Sequence, residues 1–353
     1  MKTKLAILAP LAVGWLALLP GCSEQNSSAQ HDLIQAANSA VNGDVAASHT
    51  WCDRAIAVEP KSIDLFVGPD PNDANAAAPG DGEAPISIYD IYSNSNPNLS
   101  ATTDYQSLAM YMREATVKFP TDWRPWLFLA EADDGLGKTA EEQAAGKQAA
   151  ALMEPIVNRP GAGASSGRMD SLGSAYYLAG NFPKAKQVLQ TTINAYPADP
   201  EPLNDLAYFI ADSNDVSDLP LALTDVNQAI AKLQSMASID DTGTTIALAT
   251  FQDTLGWVQY RQHNYSQAVT TLQEAISNDP SIPKVRYHLG MAYLGLDSIS
   301  PGHGDIDNHA AARAELASAL AFDPNYAEPL QALAKIGPPS ATASTDDQDQ
   351  DLL

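Results

Sequence analysis

The sequence is poor in cysteine and in positive charge, and each shortage excludes a class of protein. Only 2 of the 353 residues are cysteine, which is too few for a disulfide-stapled fold. Lys and Arg number 19 against 43 Asp and Glu, giving a formal net charge of −24. Such an excess disfavours binding to nucleic acid or to anionic lipid headgroups. The apolar share of 45% is ordinary for a globular chain and excludes disorder throughout.

Signatures of catalysis are also missing. The sequence contains no G-x-S-x-G, no H-E-x-x-H and no pair of cysteines at metal-ligand spacing. One cluster of histidines and acids, His303, Asp305, Asp307 and His309, has side chains that could ligate zinc, but its spacing fits no common metal site. We therefore predict that the protein is not an enzyme and needs no metal or cofactor.

Residues 1–21 have the composition of an export signal. Two lysines near the start precede an almost wholly apolar run from Leu5 to Leu19. This run has the length of a signal sequence and is short for a membrane-spanning helix.

The end of this signal carries a recognisable motif. Leu19-Pro20-Gly21-Cys22 resembles the lipobox of bacterial lipoproteins, in which cleavage precedes the cysteine and acyl chains are attached there. The resemblance implies a lipid anchor at Cys22 and a place in the bacterial cell envelope. Ser23, where aspartate often retains such proteins in the inner membrane, implies the outer membrane, facing the periplasm. An ordinary signal cleaved after Ala29 is the alternative.

The sequence repeats itself from residue 166 onward. Four segments align on a leucine followed by a small residue, at Leu172-Gly173, Leu206-Ala207, Leu255-Gly256 and Leu289-Gly290. The steps between them are 34, 49 and 34 residues, so the second step is one period with an insertion. Such a fixed period indicates stacked copies of one structural unit.

Three of the four copies continue with a tyrosine, a small residue, a leucine and a closing proline, whereas the second continues with Ala222, Val226 and Ala229 and lacks the proline. The shared residues are Tyr176, Ala185, Leu189 and Pro197 in the first copy, and Tyr260, Ala268, Leu272 and Pro280 in the third. The copies resemble tetratricopeptide repeats. The resemblance implies an all-α fold, an α-solenoid of helix–turn–helix repeats wound into a right-handed superhelix. Small residues such as Gly173 and Gly256 would lie where the two helices of a repeat cross.

On this basis the chain divides into six segments. They are a lipoprotein signal at 1–21, a tether and N-terminal helix pair at 22–62, a Pro-, Asn- and Gly-rich linker at 63–100, degenerate repeat-like helices at 101–165, the repeat solenoid with its capping helix at 166–337, and an acidic disordered tail at 338–353. We expect little regular structure in the linker. Within the helical parts, the pattern predicts helices from about Thr139 to Val157 and near Ala327 to Ile336. Cys52, at an apolar helical position, is predicted to be a buried and inert thiol.

In tetratricopeptide proteins the first helices of successive repeats line a concave groove. Transferring the groove positions gives a row of aromatic side chains with a few charges. They are Asp170, Ser174, Tyr177, Asn204, Tyr208, Asp253, Trp257, Tyr260, Arg261, Lys284, Tyr287, Met291 and Leu294. Tyrosine and tryptophan suit peptide recognition because they combine a large apolar area with a polar tip. For Tyr177 and Tyr260, packing against the neighbouring repeat fits the pattern equally well.

The resemblance implies a non-catalytic scaffold that holds a protein or peptide partner in this groove. Lipoproteins of this type support pilus, exopolysaccharide or envelope-complex assembly. Two alternatives stay open: an envelope hydrolase or metal-dependent accessory enzyme that uses the loop insertions, and a glycan-binding protein that uses the same aromatic row.

Overall fold

A computed structural model describes residues 28–70, 85–93, 101–159, 164–213, 216–236, 242–299 and 307–337. These residues form helices joined by turns and short loops, with no strand among them. Four predicted features lie outside the described residues: the signal with Cys22, the acidic tail, His303 and Asp305.

The described residues form sixteen helices. They are α1 (Ser28–Val41), α2 (Val45–Val58), α3 (Asp64–Val67), α4 (Ile88–Ser93), α5 (Ala101–Lys118), α6 (Trp123–Gly135), α7 (Thr139–Val157), α8 (Ser166–Leu178), α9 (Phe182–Ala195), α10 (Glu201–Asp212), α11 (Leu219–Met236), α12 (Thr242–Arg261), α13 (Tyr265–Asn278), α14 (Pro283–Ile299), α15 (Asn308–Phe322) and α16 (Ala327–Ile336). Within these residues no helix has both the length and the apolarity to cross a lipid bilayer.

The helices pack in consecutive pairs that stack in chain order. The pairs are α1–α2, α6–α7, α8–α9, α10–α11, α12–α13 and α14–α15, and α16 packs against α14 and α15. The first helices of successive pairs also contact one another, from α6 through α8, α10 and α12 to α14. Each pair therefore shares its core with its neighbours, which is the α-solenoid that the repeat pattern predicts.

Glycines set the close approach of the two helices within a pair. A Cβ on Gly256 would lie 2.5 Å from Cγ of Leu272, and one on Gly173 would lie 2.8 Å from Cγ of Leu189. Leu272 and Leu189 are fully buried. The predicted small residues thus lie at the crossings, where a side chain would push the paired helix outward.

Turns and prolines fix where the helices begin and end. The turn between α8 and α9 places Gly180 at φ 74°, and the turn between α12 and α13 places His263 at φ 62° in the equivalent position. The helices α9 and α13 each end two residues before a proline, Pro197 and Pro280, because proline cannot continue the hydrogen-bond pattern of a helix.

The stretch at residues 63–100 differs from the linker expected there. It contains the two short helices α3 and α4, whose Phe66 and Tyr92 side chains are fully buried. Oγ of Ser48 on α2 lies 2.7 Å from the hydroxyl oxygen of Tyr92. The Tyr89 ring stacks on Phe128 of α6 at 3.8 Å between centroids.

The expectation rested on the overall content of Pro, Asn and Gly, which are breakers of regular structure. The segments at 65–67 and 88–92 are mostly apolar, and their burial against each other and against α5 and α6 outweighs that composition. Residues 71–84 and 94–100 lie outside the described part of the chain.

Candidate partner-binding groove

The first helices α8, α10, α12 and α14 form one continuous face, and every predicted groove residue lies on one of them. Seven of these side chains are buried: Asp170, Ser174, Tyr177, Asn204, Tyr208, Asp253 and Trp257. Six are half-buried: Tyr260, Arg261, Lys284, Tyr287, Met291 and Leu294. The half-buried group belongs to α12 and α14, so the accessible part of the face lies toward the C-terminal end.

One contact shows that this face is concave. Lys284 on α14 donates a hydrogen bond from Nζ to the hydroxyl of Tyr208 on α10 at 2.6 Å. The ammonium also lies 4.6 Å from the centre of the Tyr208 ring, a cation–π contact. The two helices are separated in the stack by α12, so their side chains meet only because the row of first helices curves inward.

Tyr177 is engaged by the next repeat. Its ring stacks on Phe209 of α10 at 3.8 Å with an interplanar angle of 3°, and its hydroxyl donates to Oδ2 of Asp212 at 2.6 Å. Burial, with the neighbouring carboxylate of Asp212, raises the pKa of Tyr177 well above its ordinary value. Of the two interpretations of Tyr177, the structure therefore favours packing against the neighbour.

A carboxyl pair joins α8 to α10. Asp170 and Asp205 are both buried and lie within hydrogen-bond reach of each other. Burial raises the pKa of Asp170 well above its ordinary value and that of Asp205 to about 7. Asn204 donates from Nδ2 to Oδ1 of Asp205 at 3.3 Å. Because two carboxylates this close repel each other in a buried site, we infer that the pair shares one proton between the two repeats.

Trp257 is packed inside an aromatic stack. Its ring lies 4.8 Å from that of Tyr260 and 4.1 Å from that of His288, nearly parallel to both. His288 is 1% exposed, and its Nδ1 lies 2.7 Å from Oδ1 of Asp253. Burial lowers the pKa of His288, and the Asp253 carboxylate opposes that shift.

Arg261 has a structural role at the end of α10. Its guanidinium donates to the backbone carbonyl of Ala211 and, at 2.9 Å, to that of Ser213. The last carbonyls of a helix lack partners within it and carry partial negative charge. The cation predicted for the groove therefore caps the C-terminus of a neighbouring helix.

Several contributors to this face were missed in the sequence. Asp212 follows the groove positions of α10, His288 is one residue beyond Tyr287, and Tyr326 and Glu328 come from the capping end of the chain. The Tyr326 ring lies 5.7 Å from that of Tyr287. Helical spacing alone would have pointed to His288, because it lies four residues after the predicted groove position Lys284. The repeat pattern does not predict that Tyr326 and Glu328, at the start of the last helix, lie close to this face.

In the described part of the chain, no group of three or more histidine, cysteine or acidic side chains is arranged around a metal site. His303 and Asp305 of the sequence cluster lie outside that part. Asp307 instead accepts a hydrogen bond at Oδ1 from the backbone N–H of Ala310, at 3.0 Å, and so caps α15.

Comparison with known proteins gives the following matches. Residues 170–199 and 254–281 match the family model described as tetratricopeptide repeat. No curated protein matches the chain in sequence. Among solved structures, a chain of the Cut9–Hcn1 hetero-tetramer of APC/C aligns at 15% identity and a TM-score of 0.44, over 85% of this chain and 48% of its own length. This protein thus spans about half of that chain.

Two further structures align over smaller parts of this chain. YrrB, described as a tetratricopeptide-repeat protein with an unusual peptide-binding site, aligns at 15% identity and a TM-score of 0.35, over 64% of this chain and 98% of YrrB. The C-terminal part of a repeat protein from Cytophaga hutchinsonii aligns at 13% identity and a TM-score of 0.32, over 63% of this chain and 75% of its own.

The two segments that match the family model cover most of α8 and all of α9, and the last part of α12 and all of α13, with their glycine crossings and closing prolines. Sequence and architecture agree on the same units: the chain contains tetratricopeptide repeats at residues 170–199 and 254–281.

Proposed function

We propose that the protein is a non-catalytic scaffold that binds a protein or peptide partner on the concave face of its first helices. The observation that carries this proposal is the half-buried apolar surface formed by Tyr260, Tyr287, Met291 and Leu294 on two successive first helices. Partly buried aromatic and apolar side chains on a rigid concave face supply the anchors that dominate peptide binding.

Photo-crosslinking tests the site directly. A photoreactive phenylalanine analogue placed at Tyr287 should crosslink to the partner in the native cell. The same analogue at Val117, which is 81% exposed on α5, serves as the control. Equal crosslinking at both positions, or none at position 287 while other surfaces react, would argue against the concave face.

The effect of side-chain removal gives a second measurement. Tyr287→Ala combined with Met291→Ala should reduce partner recovery at least tenfold, because both side chains supply apolar contact area. Trp257→Ala is a poorer test, since that ring is packed between Tyr260 and His288 and its loss would disturb the stack. Circular dichroism should show unchanged helix content in the double variant.

We further propose that this scaffold is anchored in the bacterial cell envelope through Cys22, facing the periplasm from the outer membrane. Support comes from the lipobox resemblance at Leu19 to Cys22 and from Ser23. Acylation at one cysteine with several chains gives stable anchoring, where a single chain would be marginal. Mass spectrometry of the mature amino terminus should find a diacylglyceryl group on Cys22, and a free amino terminus near Gln30 would refute the anchor.

A further inference from the structure

The first helix pair of the stack has one side that no other pair adjoins. On α2, the side chains of His49 and Asp53 each hydrogen-bond to a hydroxyl group on α5, at 2.9 Å and 3.1 Å, so this flank of α2 faces the rest of the stack. Trp51 and Val58 lie about 140–180° around the helix from these two residues, because each residue turns an α-helix by about 100°. Among the described residues no helix precedes α1, and the stack therefore ends at this second flank.

The second flank combines an aromatic ring, an aliphatic side chain and a cation. Val58 is 48% exposed, and Trp51 is half-buried. The Arg54 guanidinium lies 4.2 Å from the centre of the Trp51 ring, and the Arg54 side chain is 58% exposed. The spacing of these three residues places them on one stripe of the helix, and together they are called the outer flank of α2 below. A terminal repeat needs a polar outer face to stay soluble, so this apolar stripe indicates a contact outside the fold.

The outer flank lies at the end of the helix pair that the chain enters from Cys22. Because α1 and α2 run antiparallel, Val58 at the end of α2 is level with Ser28 at the start of α1. The ion pair between Arg54 and Asp32, at 3.3 Å, reflects this pairing. Cys22 precedes Ser28 by six residues. Six residues span at most about 20 Å when fully extended, so acyl chains on Cys22 would hold the start of α1, and the outer flank with it, close to the bilayer surface.

The side chains of the outer flank fit the boundary between lipid headgroups and acyl chains. Tryptophan is enriched at that boundary because it joins an apolar ring to a polar N–H. Arginine can extend its charged end toward lipid phosphates while its stem stays on apolar surroundings. Asp32 already pairs with Arg54, and Glu59 adds a carboxylate at the same end of the pair. The attraction therefore comes from apolar contact rather than from net charge, which is consistent with the charge of −24 on the whole chain.

We propose that the outer flank of α2 lies on the bilayer in which Cys22 is anchored, with Trp51 and Val58 in contact with the boundary between headgroups and acyl chains. Three partly exposed side chains are too few for a stable interface with a second copy of the chain, since such interfaces bury about 1,200 Å² or more. A tethered surface needs much less contact, because the anchor makes binding to the bilayer intramolecular. This inference rests on the proposed anchor at Cys22 and adds the face of the protein that meets the membrane.

Fluorescence quenching by spin-labelled lipid measures this contact. The lipidated protein, with an environment-sensitive fluorescent amino acid in place of Lys61, is reconstituted into vesicles of phosphatidylethanolamine and phosphatidylglycerol in a ratio of three to one. Lys61 is exposed and follows the end of α2. Lipid that carries a spin label near its headgroup should quench this fluorophore at least threefold more than the same fluorophore at Val117, which is 81% exposed on α5.

Val58→Asp is the decisive variant, because a carboxylate at this position opposes contact with apolar lipid. It should reduce the quenching at position 61 at least threefold. Val117→Asp makes the same change on α5 and should leave that quenching unchanged. Both valines are exposed, so neither change removes a buried contact, and circular dichroism should show unchanged helix content. Trp51→Ser, checked in the same way, is the second variant and should lower the quenching at least twofold.

The outcomes separate this inference from the proposed anchor. If Cys22 carries its acyl chains and lipid quenches positions 61 and 117 equally, the anchor holds and the inference is wrong. Equal effects of Val58→Asp and Val117→Asp would show that only the overall charge matters, which also overturns the inference. Energy transfer between position 61 of two copies, without quenching by lipid, would assign the outer flank to a protein contact instead. A mature chain without lipid on Cys22 would refute the anchor and the inference together.

Discussion

Replacing Asp205 with asparagine should stabilise the solenoid, and more strongly as the pH rises. Asp205 and Asp170 meet between α10 and α8, where both are buried. Burial raises the pKa of Asp205 from an ordinary value near 3.8 to about 7. Between these values the folded protein keeps a proton that the unfolded chain has released.

The sign and size of the effect follow from this difference. A carboxyl whose pKa is raised by folding costs nothing below about pH 4, and its cost grows until the pH passes about 7. Each unit of difference corresponds to 1.36 kcal/mol, so the roughly three units at Asp205 give an upper limit of about 4 kcal/mol near pH 8. Asparagine cannot ionise, and its amide can donate to the carboxyl of Asp170 that remains.

Urea denaturation followed by circular dichroism at pH 4, 6 and 8 measures this prediction. The gain in unfolding free energy from Asp205→Asn should be near zero at pH 4 and about 2–4 kcal/mol at pH 8. Glu141→Gln, which removes an exposed carboxylate, is the matched control and should change stability by less than about 0.5 kcal/mol at every pH. A gain from Asp205→Asn that does not vary with pH, or a loss at pH 8, would refute the assignment of a shared proton to this pair.

Three further predictions test the packing. Gly256→Ala should lower the free energy of unfolding by about 1–3 kcal/mol, because the new Cβ meets Cγ of Leu272 at 2.5 Å. A smaller loss of stability in a Leu272→Ala background would confirm the clash, and equal losses in the two backgrounds would contradict it. Cys52 should not react with a thiol reagent until the protein unfolds, since burial raises its pKa to about 12; rapid labelling of the native protein would contradict its placement. His263→Gly should raise the midpoint of urea denaturation by an amount equivalent to about 0.5–1 kcal/mol, because glycine adopts the left-handed conformation at φ 62° without steric cost. A lower midpoint would show that the contact between His263 Nδ1 and the Tyr265 hydroxyl, at 2.6 Å, stabilises the fold by more than the relief of backbone strain.

The repeats can be predicted from the sequence because the two helices of each repeat pack through residues that are close together in the chain. The helix predicted from Thr139 to Val157 and the one near Ala327 to Ile336 have these bounds in the structure. Gly256 and Leu272 lie 16 residues apart, within one repeat, so their contact is encoded by a spacing that recurs. Wherever a contact is internal to a repeat, the period reveals it.

Contacts between distant parts of the chain leave no such signal. The short helices α3 and α4 pack against each other and against α5, with further contacts to α1 and α6. The composition of residues 63–100 does not predict those partners. The same holds for Lys284 and Tyr208, which are 76 residues apart. The repeat register places both on the concave face, but the curvature that brings them together results from the whole stack.

This difference decides which part of the predicted groove is available to a partner. The repeat pattern assigns groove positions to all four first helices in the same way. In the structure, however, side chains of α8 and α10 pack against their neighbours: the Tyr177 ring stacks on Phe209, and its hydroxyl donates to Asp212. On α14, Tyr287 and Met291 keep part of their surface open. A partner that binds the first-helix face must therefore gain most of its apolar contact at the C-terminal end. If substitutions on α8 reduced binding as much as those on α14 without unfolding the protein, the two halves would be equivalent and this assignment would fail.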